Sequence, residues 1–305
     1  MVGFLFAGQG SQYIGMGKDL YESFPEARTV FEKAEEILGF GIKKRMFEGP
    51  QDMLKLTSIS QPAILVISIA AFEAFKSAAG SQHQVASFAA GLSLGEYTAL
   101  VACGAISFED GLRIVRKRGE IMEEAANRHP GAMAAVLDLS SEILKEICVK
   151  TGAEIANLNA PGQTVISGKV EAVTQASEMF LEAGAKRVIP LEVSGGFHSS
   201  LMFEASAELK KVLDGVSFSA PVVPIISNFT AKPEYGIPEV KENLVKQMYS
   251  SVRWEESMRF MLSQGVDKFY EFGPGKVLKG LMRRIDSNAH VVNIEKRDDI
   301  LNLSN

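Results

Sequence analysis

The pentapeptide Gly91-Leu92-Ser93-Leu94-Gly95 has the spacing of an activated nucleophile. It follows an apolar run, residues 85–90, that reads as a strand, and residues 96–103 after it turn helical. A G-x-S-x-G segment at a strand-to-helix turn holds its serine in a strained conformation with Oγ exposed, and the glycines on either side relieve the crowding. The positive end of the following helix favours negative charge at that point. The chemistry indicated is nucleophilic catalysis, with Ser93 carrying an acyl group as an ester.

A serine hydroxyl needs a general base, and the chain has four histidines. His83 lies in the polar run Ser81-Gln82-His83-Gln84, His129 in Arg128-His129-Pro130 at a helix end, and His290 at the start of a late strand. These three read as surface or structural residues. His198 follows an apolar strand and the turn Ser194-Gly195-Gly196-Phe197 at the mouth of the next helix, and is the candidate base. The competing reading for it is a helix-start histidine with a satisfied hydrogen bond.

Acyl transfer also needs N–H donors aimed at the tetrahedral oxyanion. The N–H of Leu94, next after the nucleophile, is one by the geometry of the elbow. The glycine turn Gly8-Gln9-Gly10-Ser11-Gln12, which ends the first strand, offers a second, that of Gln9. It is not a dinucleotide fingerprint, because Tyr13 stands where the third glycine belongs, and Lys18 is misplaced for a phosphate-binding loop.

The elements that must position these residues alternate. Residues 2–7 read as a buried strand, 25–38 as a helix, and 61–78 as a buried helix starting near Pro62; Arg118 lies on a helix over 109–125. From about 132 the pattern becomes strand, helix, strand, strand, helix, strand: residues 132–137, 140–150, 154–158, 164–167, 170–183 and 187–193. That is the ferredoxin-like order. A helix over 199–213, a strand over 222–227, helices over 238–249 and 254–264, and strands over 268–272 and 290–294 then resume the first pattern. The expected fold is α/β: a large domain from residues 1–128 and 197–305, with residues 129–196 inserted as a ferredoxin-like small domain.

Composition excludes other classes. The net charge is -5, and no basic block interleaved with aromatics suggests nucleic-acid binding. Cys103 and Cys148 stand far apart in no metal-binding spacing and read as reduced thiols. The apolar stretch 62–75 contains Glu73 and reads as too short to span a bilayer, and the N-terminal apolar run is broken at Gly8, so a cytoplasmic protein without an anchor is expected.

Taken in order, Gly8-Gln9-Gly10-Ser11-Gln12, Gly91-Leu92-Ser93-Leu94-Gly95-Glu96-Tyr97, Arg116-Lys117-Arg118-Gly119, Phe197-His198-Ser199 and Gln247 resemble the malonyl-CoA:acyl-carrier-protein transacylases over essentially the whole chain. The resemblance implies a hydrolase-like α/β domain with a ferredoxin-like insert. It implies transfer of a malonyl group from malonyl-CoA to the phosphopantetheine thiol of acyl-carrier protein, with no cofactor or metal. It assigns Ser93 and His198 to catalysis, Gln9 and Leu94 to the oxyanion hole, and Arg118 to the malonyl carboxylate. Sequence alone does not single out Arg118 from Arg116 and Lys117. Gln247 matches a glutamine whose backbone carbonyl orients the imidazole; Phe197 and Met122 match substrate-pocket positions. Many members have His where this chain has Leu92, so any help from that position in tuning Ser93 is in question. Lys186 and Arg187 are candidate contacts for the acidic carrier protein, and a monomer is expected. The rival readings are a serine hydrolase or thioesterase, a non-catalytic carrier-binding scaffold, and a polyketide-pathway acyltransferase with another donor.

Overall fold

The structure is a computed structural model that describes residues 1–78 and 85–304, so His83 lies outside the described residues. The chain begins with β1 (Val2–Phe6), followed by helices α1 (Lys18–Ser23), α2 (Pro25–Leu38), α3 (Ile42–Glu48), α4 (Gln51–Lys55) and α5 (Thr57–Ala78). Next come β2 (Phe88–Gly91), α6 (Leu94–Ala102) and α7 (Phe108–Arg128). A second group contains β3 (Gly131–Leu137), α8 (Ser141–Thr151), β4 (Glu154–Ala160), β5 (Gln163–Lys169), α9 (Val170–Glu182) and β6 (Arg187–Pro190). The remainder is α10 (Phe203–Asp214), β7 (Ile225–Ile226), β8 (Pro233–Glu234), α11 (Ile237–Gln247), α12 (Trp254–Ser263), β9 (Lys268–Phe272), α13 (Val277–Ile285), β10 (His290–Ile294) and α14 (Arg297–Leu301).

These strands make two sheets. The larger has the order β10-β9-β1-β2-β7-β8, parallel except for β8, which pairs antiparallel with β7. Its middle strand, β1, is apolar and almost wholly buried, as a parallel strand covered on both faces must be. Phe4 and Phe6 on β1 pack edge-on against Phe72 of α5, and both lie within aromatic contact of Phe272 on β9. The smaller sheet is antiparallel with the order β4-β5-β3-β6, and α8 and α9 close a separate core over it through Leu144, Ile147, Val173 and Phe180. In both sheets the order agrees with the expected α/β class and ferredoxin-like insert.

Several boundaries differ from expectation. Helix α5 begins at Thr57 and runs for 22 residues, with Pro62 inside it. Proline there deprives the carbonyl four residues earlier of its donor. That carbonyl, Ser58 O, receives Arg116 Nη1 at 2.7 Å instead. At this length α5 is long and apolar enough to cross a membrane, which corrects the expectation that it is too short; 94% of the relevant window is buried inside the protein, so α5 is a core helix here. The strand expected over 85–90 is confined to β2, Val85 being 73% exposed. The strand expected to 193 ends at Pro190, which has no N–H for the ladder. The one expected over 222–227 shrinks to two residues, because Pro221 and Pro224 interrupt the pairing. The helix expected from 199 begins as a 3-10 turn, Ser200–Met202.

Candidate active site

Parallel pairing of β1 and β2 brings the C-terminal ends of both strands to the same end of the large sheet, where ligands of α/β folds bind. There β2 ends at Gly91 and α6 begins at Leu94, two residues earlier than the pattern suggested. Ser93 between them has φ 50 and ψ -100, a conformation costing about 1–3 kcal/mol that a fold keeps only under tight constraint. The constraint is visible in its flanking glycines. A Cβ on Gly91 would lie 1.9 Å from the Gly95 carbonyl carbon, and one on Gly95 would lie 2.2 Å from Phe6 O. Asn228, in the β7–β8 hairpin, receives Ser93 N–H on its side-chain oxygen at 2.6 Å and donates to Gly91 O at 2.8 Å.

His198 is the only histidine near this turn among the described residues, and it too has positive φ, 58. Its Nε2 lies 2.8 Å from Ser93 Oγ, and its Nδ1 lies 2.7 Å from the backbone carbonyl of Gln247. A carbonyl only accepts, so Nδ1 carries the proton and Nε2 offers a lone pair to the serine hydroxyl. Gln247 is the last residue of α11, where helix carbonyls lack internal donors and carry partial negative charge. That charge stabilises an imidazolium as it forms, in the place of a carboxylate. Burial, and next the Arg118 charge, push the His198 pKa down to about 4, so the free imidazole is neutral and ready to accept a proton.

Arg118 reaches the same point from α7. Gly119 lets α7 approach α5 closely, since a Cβ there would fall 2.7 Å from Ser58 Cα. Arg118 is 1% exposed and donates to Gln61 Oε1 at 2.8 Å, to Gln247 Oε1 at 3.0 Å and to Ser93 Oγ at 3.1 Å. Its guanidinium sits 5.1 Å from the centre of the Tyr97 ring. Burial lowers its pKa from the ordinary arginine value, and all its hydrogen-bond partners among the described residues are neutral groups. A buried cation without an anionic partner is costly, and an incoming carboxylate beside Ser93 would complete it.

The other expected residues lie at different distances from this centre. Leu94 opens α6, so its N–H has no intrahelical acceptor. The turn bearing Gln9 packs against the elbow: a Cβ on Gly8 would lie 2.6 Å from Leu92 O, and Gln9 Nε2 donates to Thr57 Oγ1 at 3.2 Å. Leu92 is partly buried and packs over Gly8. Met122 is buried one helical turn beyond Arg118, where its sulfur accepts from Gln61 Nε2 at 3.3 Å, and Phe197 is buried in the main core. Lys186 and Arg187 are exposed on the small sheet, with Lys186 3.7 Å from Asp138. His129 caps α7 and His290 is exposed at the start of β10.

Three members of the cluster were not anticipated as site residues: Gln61, Asn228 and Glu96. Gln61 was visible as a polar residue inside an apolar run, and Glu96 as part of the motif after Ser93; Asn228 carries no local signal. Residues of the small-sheet region line one side of a cleft beside His198. Ser200 N–H donates to Glu154 at 3.0 Å, and the cleft, of about 750 Å³, is lined by Lys145, Cys148, Glu154, Ser200, Tyr249 and Ser251.

The scaffold that brings Ser93, His198 and Arg118 together finds counterparts in known proteins. The family model for the acyl transferase domain matches residues 3–294. The malonyl CoA-acyl carrier protein transacylase of Bacillus subtilis (strain 168) is 47% identical over 304 residues, covering 98% of this chain and 95% of that protein. Among solved structures, the acyl-carrier-protein S-malonyltransferase of Bartonella henselae is 40% identical with a TM-score of 0.95, covering 99% of this chain and 97% of that one. A malonyl-transacylase solved in complex with its type II PKS acyl-carrier protein is 36% identical with a TM-score of 0.95, covering 99% and 98%. The chain belongs to the acyl transferase family and, within it, to the malonyl CoA-acyl carrier protein transacylases.

Proposed function

We propose that this protein transfers the malonyl group of malonyl-CoA to the phosphopantetheine thiol of an acyl-carrier protein through an ester on Ser93, supplying fatty-acid chain extension. The single observation that carries the choice of acyl group is the buried Arg118 guanidinium, 3.1 Å from Ser93 Oγ and held by neutral partners. In the first half-reaction His198 Nε2 takes the Ser93 proton while Oγ attacks the thioester carbonyl, with the N–H groups of Gln9 and Leu94 receiving the oxyanion. The C–S bond breaks, and the CoA sulfur takes the proton from His198. In the second, the carrier thiol gives its proton to His198 and attacks the ester carbonyl; the C–O bond breaks and Ser93 is protonated again. Met122 and Phe197 shape the wall of the acyl site, and Lys186 and Arg187 meet the acidic carrier. Malonyl-CoA is a substrate, and the reading calls for no cofactor.

We also take residues 129–196 to be an inserted unit on a large domain of residues 1–128 and 197–305, and the enzyme to work as a monomer in the cytoplasm. The buried free thiols of Cys103 and Cys148 suit that compartment. Intact-mass measurement after exposure to malonyl-CoA without an acceptor tests the central claim. A malonyl adduct on Ser93 is expected, with Ser93→Ala removing it and lowering transfer roughly 10⁶-fold. An unmodified wild-type chain would sink the proposal, and rapid release of free malonate would make it a hydrolase.

A further inference from the structure

Beneath Ser93 one side-chain amide is held on every side. Gln247 Nε2 donates to Glu96 Oε2 at 2.7 Å and to Ser93 O at 3.0 Å, while Gln247 Oε1 accepts from Arg118 Nη2 at 3.0 Å. Both N–H groups and the carbonyl of the amide are engaged, and the set closes in one orientation only. Turned over, the amide would present N–H to a guanidinium and an oxygen to two acceptors. Glu96 is itself fixed, since its Oε2 also receives Asn228 N–H at 3.1 Å. Helix α6, the β7–β8 hairpin and α11 thus meet at one carboxyl oxygen.

We propose that Glu96 is a positioning residue for recognition of the donor's carboxylate: by fixing the orientation of the Gln247 amide, it sets the direction in which Arg118 presents its guanidinium beside Ser93. The proposal rests on the reading of Arg118 as the carboxylate receptor. His198 depends on a different atom of Gln247, the backbone carbonyl, which α11 holds whichever way the amide points. Loss of Glu96 therefore weakens selection of a charged acyl group more than it weakens the nucleophile.

The surroundings of the carboxyl disfavour its charged form. Glu96 is fully buried, and neither its Oε1 nor Oε2 of Glu234 on β8 has a protein hydrogen-bond partner among the described residues. Burial first, then the Glu234 charge, raise the Glu96 pKa above the ordinary carboxylate range; Gln247, Asn228 and Arg118 pull it the other way, and Tyr97 beside it is a neutral phenol. Glutamine is the isostere of that neutral acid, with its oxygen available to Gln247 and Asn228 and its NH2 turned toward the unpartnered side. Aspartate keeps the acid but withdraws it by one methylene.

Two rates on each variant provide the test: kcat/KM for malonyl-CoA, and acylation of Ser93 by p-nitrophenyl acetate, a neutral donor with no carboxylate for Arg118 to bind. Glu96→Asp should lose about tenfold or more with malonyl-CoA and less than about threefold with the ester, while Glu96→Gln stays within about threefold of wild type for both. Should Glu96→Asp fail to fold, as judged by thermal melting, Glu96→Met keeps the volume, removes the acceptor and should show the same selective loss. Equal loss with both donors, or a damaged Glu96→Gln beside an intact Glu96→Asp, overturns the proposal. Failure of the wild-type chain to form a malonyl adduct would overturn the transferase reading beneath it, a result separate from any ratio between variants.

Discussion

Arg118 and Arg187 are the same side chain in opposite surroundings. Arg118 lies under the elbow of the large sheet, 1% exposed, with its donors fixed by Gln61, Gln247 and Ser93. Arg187 stands exposed at the start of β6 on the small sheet, next to Lys186, whose nearest acidic partner is Asp138 at 3.7 Å. A cation stripped of water has a strong preference for the anion that completes it, whereas an exposed cation is screened and contributes at most about 1 kcal/mol. On the proposed reading, the buried cation of the parallel-sheet region selects the substrate, and the exposed pair on the insert contributes at most steering of a partner.

The sharpest way to break this contrast is to remove the buried charge. Arg118→Met should lower kcat/KM for malonyl-CoA by about 10²–10³-fold, in keeping with about 2–5 kcal/mol for a desolvated ion pair, while acylation by p-nitrophenyl acetate changes less than about tenfold. Equal losses would mean that Arg118 serves the nucleophile and not the acyl group.

Burial, and after it the same charge, should set the pH profile. With the His198 pKa pushed down to about 4, the base stays neutral from alkaline pH down to that point, so the ester-acylation rate should be level and fall about tenfold per unit only below it. Arg118 is the second cause of that depression, so the acid limb should move to higher pH in Arg118→Met. A limb near the ordinary histidine value of about 6.5 in the wild type would show that His198 is not desolvated in solution.

The smallest effect belongs to the exposed pair. Reversing both charges, Lys186→Glu with Arg187→Glu, should slow transfer to acyl-carrier protein by about 3–10-fold at low salt, less at high salt, and leave malonyl-Ser93 formation unchanged. Loss in both half-reactions would remove these residues from the carrier-protein surface.

Most of the centre was readable along the chain because its parts are locally encoded. The elbow is a contiguous signal in which Gly91 and Gly95 are demanded by contacts within a few residues and with the adjoining strand. His198 stood out because the other histidines lie in polar or terminal settings. Arg118 was separable from Arg116 and Lys117 only by family resemblance, and the structure supplies the physical distinction. Arg116 answers the carbonyl that Pro62 leaves open, Lys117 faces solvent and pairs with Glu120, and Arg118 alone of the three turns inward to Ser93. The same proline explains the misplaced start of α5. Proline favours a helix's first turn, and here a side chain from another helix meets the cost of placing it further in.

The sequence by itself determined the serine turn between strand and helix, the alternation of strands and helices, and the β-α-β-β-α-β insert, all of which depend on the order and spacing of neighbouring residues. Only the tertiary structure decided which amides hold Arg118, that a helix-end carbonyl and not a carboxylate accepts from His198, and that Gln61, Glu96 and Asn228 join the cluster. Gln61 comes from α5, Glu96 from α6, Asn228 from the β7–β8 hairpin and Gln247 from α11, and a hydrogen bond between such distant positions leaves no periodic trace in the chain. Those contacts arise because a buried polar group left unpaired is costly, and packing determines which partner is within reach.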